Sequence, residues 1–285
     1  MINVETTKVA LLQLPDKPRR EPFKHTIGVA FGLVLAMVGI QTFLNPNFQW
    51  DVVAKYLFSP LVFHGLGNTI ALTVISMVIG TILGLISASM QQSRILAFRA
   101  AAGLYIWFFR GTPLLVQLIF WYNLAIVVPQ VLVWSAGGGF EMVSTNTVIT
   151  PFLAAVLGLS LNEGAYMSEV IRGGLLSVSK GQREAGYVLG MSSRTSFVRI
   201  ILPQAMRIII PPTGNQLIGM LKTTSLVSVI STPDLLYSVQ AIYGRTFETI
   251  PLLLVASIWY LVVTTVLTAG QHVLEKRLSR GSTHA

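Results

Sequence analysis

Residues 177–212 read SVSKGQREAGYVLGMSSRTSFVRIILPQAMRIIIPP, a polar stretch between two strongly apolar ones. It is too rich in helix signals for a simple tether. Ser177 and Ser179 offer N-capping oxygens and Gly181 a turn, and Glu184 places a carboxylate near the positive end of a short helix over 182–189. Gly190 supplies a helix-ending residue, and a second short helix is expected over 193–201. Pro203 should then punctuate the chain before the next apolar run.

Outward from this segment the chain turns apolar. Of its 285 residues 53% are hydrophobic and only 11% charged, against about 25% charged in soluble domains. The solvent for most of it is lipid. Six runs approach the roughly 20 apolar residues that cross a bilayer, at about 26–45, 66–90, 102–132, 148–168, 206–231 and 249–272. The third is longer than one span and holds Pro113 and Pro129, which points to a kink or an interfacial end.

Lys and Arg fall unevenly between the runs. One side collects Lys8, Lys17, Arg19, Arg20 and Lys24, then Arg94 and Arg99, then Arg172, Lys180, Arg183, Arg194, Arg199 and Arg207, and finally Lys276, Arg277 and Arg280. The other holds Lys55 and Arg245 beside Asp51, Glu141, Asp234 and Glu248. The positive-inside rule then puts both termini and the 169–205 loop in the cytoplasm. The stretch after the first run, QTFLNPNFQ at 41–49, offers no small-residue cleavage site, so that run reads as an uncleaved anchor. Residues 46–63, with Phe48, Trp50, Tyr56 and Phe58, read as an amphipathic interfacial segment on the outer surface.

Several classes fall away. Without cysteine there are no disulfides, thiolate sites or cysteine nucleophiles, and the four histidines lack zinc spacing, so no metal is expected. The net charge of +9 sits between apolar runs and not on one folded domain, which argues against nucleic acid. No Gly-rich phosphate loop is present, because GMLKTT at 219–224 lacks the spacing and lies in an apolar run. Energy must come from a partner or an ion gradient.

Glu184, Ala185 and Gly190, followed by Ile200, Leu202 and Pro203, resemble the signature cytoplasmic loop of ABC importer permeases. Gly186 stands where that family usually has a second alanine, and should loosen the helix by up to about 1 kcal/mol. FRGTPL at 109–114, LNEGAYMSEVIRGG at 161–174 and MLKTTSL at 220–226 resemble polar amino acid uptake permeases. The resemblance implies an all-α integral membrane fold: a type I importer core of five helices over 64–275, with one extra helix at 26–45 and cytoplasmic tails at 1–25 and 276–285. It also implies two cytoplasmic ATPase subunits that use ATP and Mg, an extracytoplasmic solute-binding protein, and a second permease copy or a related permease. No cofactor would be bound by this chain, and it would not be catalytic by itself. The compartment implied is the bacterial inner membrane.

Ionisable side chains at membrane depth are functional candidates. Glu163 suits the ammonium of a zwitterionic amino acid, and Arg110 or Lys222 its carboxylate. Asn162, Tyr166, Asn215, Gln216, Thr223 and Ser225 could add hydrogen bonds. Arg110 and Glu163 also fall toward the cytoplasmic ends of their runs, where a cross-helix pair, or snorkelling of Arg110, serves equally well. Glu169 and Arg172, three apart on one helical face, suit a plain salt bridge. Gly80, Gly84, Ser87 and Ala88 mark close helix packing. An ion-coupled secondary transporter is the alternative, but it predicts inverted repeats that the sequence lacks and leaves the 184–203 spacing unexplained.

Overall fold

The computed structural model describes residues 22–135 and 137–279. Lys8, Lys17, Arg19, Arg20 and Arg280, and with them most of both tails, lie outside the described residues. The chain divides after Gln49 into two units. In the first, α1 (Pro22–Phe43) carries apolar, exposed side chains such as Val29, Phe31, Leu33 and Ile40, and a 3-10 turn follows at Pro46–Phe48 under an Asn45 cap.

The second unit begins with α2 (Trp50–Leu57) and α3 (Pro60–Gln91). Ser59 caps α3 through Val62 N at 3.4 Å, with proline at the first helical position, where no N–H is needed. The helix thus begins a little before residue 64. Next come α4 (Leu96–Gly111), α5 (Leu114–Tyr122) and the single turn α6 (Leu124–Val127). The strands β1 (Gln130–Ser135) and β2 (Gly139–Ser144) form an antiparallel hairpin, and a turn, α7 (Thr145–Val148), leads into α8 (Pro151–Leu176). The loop region holds α9 (Lys180–Val188), α10 (Ser193–Ser196) and a π-type turn at Phe197–Ile201 that runs directly into α11 (Leu202–Thr223). After a 3-10 stretch at Thr224–Ile230 the chain finishes with α12 (Leu235–Thr246) and α13 (Thr249–Ser279).

The kink expected in the apolar run at 102–132 falls at Thr112–Pro113, where α4 and α5 meet with a bend of 102°. Three expectations change. The all-α expectation yields to the hairpin, which begins in the last residues of that run and pairs Leu132 with Met142 and Trp134 with Phe140. The run at 206–231 is helical only to Thr223 and tightens to 3-10 beyond it. Pro203 does not punctuate the chain, because the π-type turn at Phe197–Ile201 carries the helix into α11 without a break. By length and apolarity α3 and α13 qualify outright as membrane spans. The less apolar α8 and α11 carry Glu163, Glu169 and Arg172, and Arg207 and Lys222.

Close approach of α3 and α8 organises the core. A β-carbon at Gly80 would lie 2.8 Å from Glu163 Cβ, and one at Gly84 would lie 2.6 Å from Met167 Cβ. Buried Ser87 and Ala88 continue the same face, so the small residues set the helix separation. Without a hydrophobic drive between helices in lipid, that contact is what dispersion can use. One apolar cluster joins Leu72, Leu118, Leu159, Met220 and Val227; another joins Met167, Ile171, Val178, Ile201 and Ile209.

Candidate functional site

The break between α4 and α5 positions the site. A helical carbonyl at Phe109 would normally accept from residue 113, but Pro113 has no N–H. Gln117 Nε2 replaces it, donating to Phe109 O at 3.0 Å, to Thr112 O at 3.1 Å and to Thr112 Oγ1 at 2.8 Å. Asn162 Nδ2 donates to the same Phe109 O at 2.8 Å. The break is therefore tied to the middle of α8, and Asn162 is committed largely to that tie. Gln117 is a residue the sequence reading missed; Pro113 four positions earlier was the signal.

Beside this tie, Leu114, Asn162, Glu163, Tyr166, Gln216, Gly219, Met220, Thr223 and Leu226 line a cavity of about 290 Å³, near the lower end of small-molecule pockets. Glu163 is buried, 6% exposed, and its Oε1 has no hydrogen-bond partner among the described residues, while the Gln216 side chain serves the carboxyl group. An unpartnered buried carboxylate oxygen is costly unless something cationic meets it. Glu163 lies mid-way along α8, and Arg110 lies in the last turn of α4, so neither sits where the run limits had placed it. No ion pair joins them among the described residues; the Arg110 guanidinium lies over the Tyr166 ring, 5.3 Å from its centroid. Glu169 and Arg172 pair at 2.6 Å.

The other candidates separate. Asn215 faces α13, where its Oδ1 accepts from Gln271 Nε2 at 3.1 Å. Lys222 and Ser225 line a different cavity with α13 residues. Of the proposed pathway residues, the fold brings together Asn162, Glu163, Tyr166, Gln216 and Thr223, with Arg110 stacked at their edge.

The loop residues form a second assembly. Gly190 adopts φ +70°, and the Gly190 N–H to Tyr187 O and Met191 N–H to Gly186 O bonds, both 3.0 Å, close α9 as a Schellman motif. At its start Ser179 is the N-cap residue, but its side chain makes no capping bond. A β-carbon at Gly186 would approach Ser196 Oγ to 2.8 Å and Ile200 Cδ1 to 3.3 Å, so glycine there lets α9 lie close against the following turn. Glu184 and Ala185 are exposed, as are Tyr187 (84%), Val188 (82%) and Leu189 (77%). Ile200, in the π-type turn, lies beside this helix at Gly186, and Leu202 and Pro203 begin α11.

Residues 80–280 match the family described as "Binding-protein-dependent transport system inner membrane component". The chain belongs to that family. This inner membrane component is of the polar amino acid ABC importer type and is a multi-pass membrane protein. It is 44% identical to the arginine transport system permease protein ArgU of Corynebacterium glutamicum, across 94% of this chain and 84% of that protein. It is 39% identical to the L-cystine transport system permease protein TcyB of Bacillus subtilis, across 83% of this chain and 94% of that one. Among solved structures it resembles an amino acid ABC transporter crystallised with histidines, with a TM-score of 0.68 and 33% identity over 79% of this chain and 97% of that chain. The inner membrane component's relatives are permease proteins of amino acid transport systems.

Proposed function

We propose that this permease carries an amino acid through the cavity at Glu163 and couples that movement to ATP hydrolysis in separate ATPase subunits that dock on α9. One observation carries the reading. Val178 and Ile201, which flank α9, share an apolar cluster with Met167 and Ile171, the residues one and two turns beyond Glu163 on α8. Displacement of α9 by a partner is thereby passed through packed side chains to the helices that line the cavity.

Glu163 Oε1 supplies the anionic partner for a solute ammonium, in a cavity with room for one small zwitterion. The exposed Tyr187, Val188 and Leu189, with Glu184, form the docking face. Six spans with both termini in the cytoplasm place that face toward the ATPases, with the extra N-terminal helix bringing the chain to the outer side. The pathway is completed by a second permease, identical or related, and an extracytoplasmic binding protein delivers the solute. ATP and Mg are bound by the partner ATPases and not by this chain, which performs no covalent chemistry. Arginine, cystine and glutamine, the solutes of its relatives, set the candidate class.

The test is uptake into proteoliposomes by the assembled complex. ATP-dependent uptake of an amino acid is the expected result, whereas uptake that follows an imposed proton gradient without ATP assigns the chain to ion-coupled transport.

A further inference from the structure

Lys222 sits at an unusual place for a cation. It precedes Thr223, which shares a cavity with Glu163 and Tyr166 near the middle of the 26-residue α8, about 18 Å from that helix's start at 1.5 Å per residue. Lys222 therefore lies near mid-membrane depth, yet its side chain is exposed. An ammonium facing hydrocarbon at that depth is strongly disfavoured, so this face meets water or a neighbouring subunit, not lipid.

The cavity there, about 330 Å³, is lined by Lys222, Ser225, Ser257, Tyr260, Leu261 and Thr264. Its small hydroxyls donate to their own helices: Ser225 Oγ to Lys222 O at 2.7 Å, Ser257 Oγ to Leu253 O at 2.8 Å and Thr264 Oγ1 to Tyr260 O at 2.7 Å. They offer lone pairs to the ammonium but no negative charge. Asp234 is taken by Leu236 N, Tyr237 N and the Tyr260 hydroxyl. Among the described residues no carboxylate lies within ion-pair distance of Lys222.

The geometry points to a second solute station at Lys222, one that takes the carboxylate end of the transported amino acid; this rests on the amino acid reading above. Thr223 and Leu226 face the Glu163 cavity, while Lys222 and Ser225 face this one, so the two stations lie on neighbouring faces of one helical segment, about 100° apart. The solute meets a fixed anion at one station, Glu163, and a fixed cation at the other, Lys222.

The experiment uses the purified permease–ATPase complex in nanodiscs without binding protein. Equilibrium dialysis with radiolabelled L-arginine, L-cystine and L-glutamine measures competition by each unlabelled acid and by its α-carboxamide, which keeps the ammonium and lacks the carboxylate. The wild type should prefer acid over amide by roughly tenfold, the worth of one charge-assisted hydrogen bond. Lys222→Gln should reduce that preference to near one, Lys222→Arg should retain it, and Glu163→Gln should weaken acid and amide alike. A Lys222→Gln complex that keeps the full preference overturns the inference, including the case where its two permeases separate on mass photometry, which assigns Lys222 to the subunit contact. A wild-type complex that imports none of the three amino acids with ATP overturns the amino acid reading and this inference together.

Discussion

Gly80 and Glu163 meet across the α3–α8 contact so closely that a β-carbon on Gly80 would lie 2.8 Å from Glu163 Cβ and 2.9 Å from its Cγ. The glycine is what allows the buried carboxyl to sit beside its cavity. Gly80→Ala should push Glu163 out of register, with an overpacking cost of about 1–3 kcal/mol. Uptake in proteoliposomes should fall severalfold while ATPase subunits still co-purify with the permease. Unchanged uptake would show that α3 gives way more easily than this contact implies.

Glu163→Gln keeps the volume and removes the charge. Loss of one charge-assisted bond to a solute ammonium, worth about 1.5–3 kcal/mol, should lower amino acid affinity by roughly tenfold or more. Because the wild-type Oε1 is buried without a partner among the described residues, the thermal midpoint of the variant should hold or rise. A lower midpoint with unaltered affinity would make Glu163 a structural residue.

Gln117→Leu leaves Phe109 O with Asn162 alone and Thr112 O without its side-chain donor, at a cost of about 1–3 kcal/mol. Pro113→Ala in the same chain restores a backbone N–H at the break and should recover part of that loss. Thermal unfolding of the two single variants and the double variant measures the coupling; strict additivity would mean that Gln117 does not act for the missing proline N–H.

At the loop, Gly190→Ala forces a β-carbon onto φ +70° and should cost about 1–2 kcal/mol locally, loosening the end of α9. Glu184→Lys and Tyr187→Ala alter the exposed face without touching the core. All three should leave membrane insertion intact and lower the ratio of solute moved to ATP hydrolysed. Full coupling in the Glu184 and Tyr187 variants would move the docking site elsewhere.

Much of the architecture was legible because its signals are local. The Gly190 end of α9 followed from short-range grammar and the Glu169–Arg172 pair from helical spacing, whereas neither expected N-cap oxygen serves α9: Ser179 makes no capping bond, and Ser177 ends α8 with its Oγ donating to Gly174 O. The hairpin at 130–144 was missed because Val, Leu and Trp serve a strand and a membrane helix equally well, and only the pairing of Trp134 with Phe140 separates the two. Gly186 read as a weakness in α9; the fold makes it the point where α9 packs against Ser196.

By itself the sequence determined a lipid-solvated chain, its polar loop and the residue types available for a zwitterion, since composition and periodicity act on each residue separately. Which of those residues share a cavity was decided only by tertiary structure. Thr223 faces Glu163, Lys222 faces α13, and Asn215 is held by Gln271. Neighbours in sequence point to different faces of a helix, and the glycine contacts and the turn at Pro113 settle which face meets which helix.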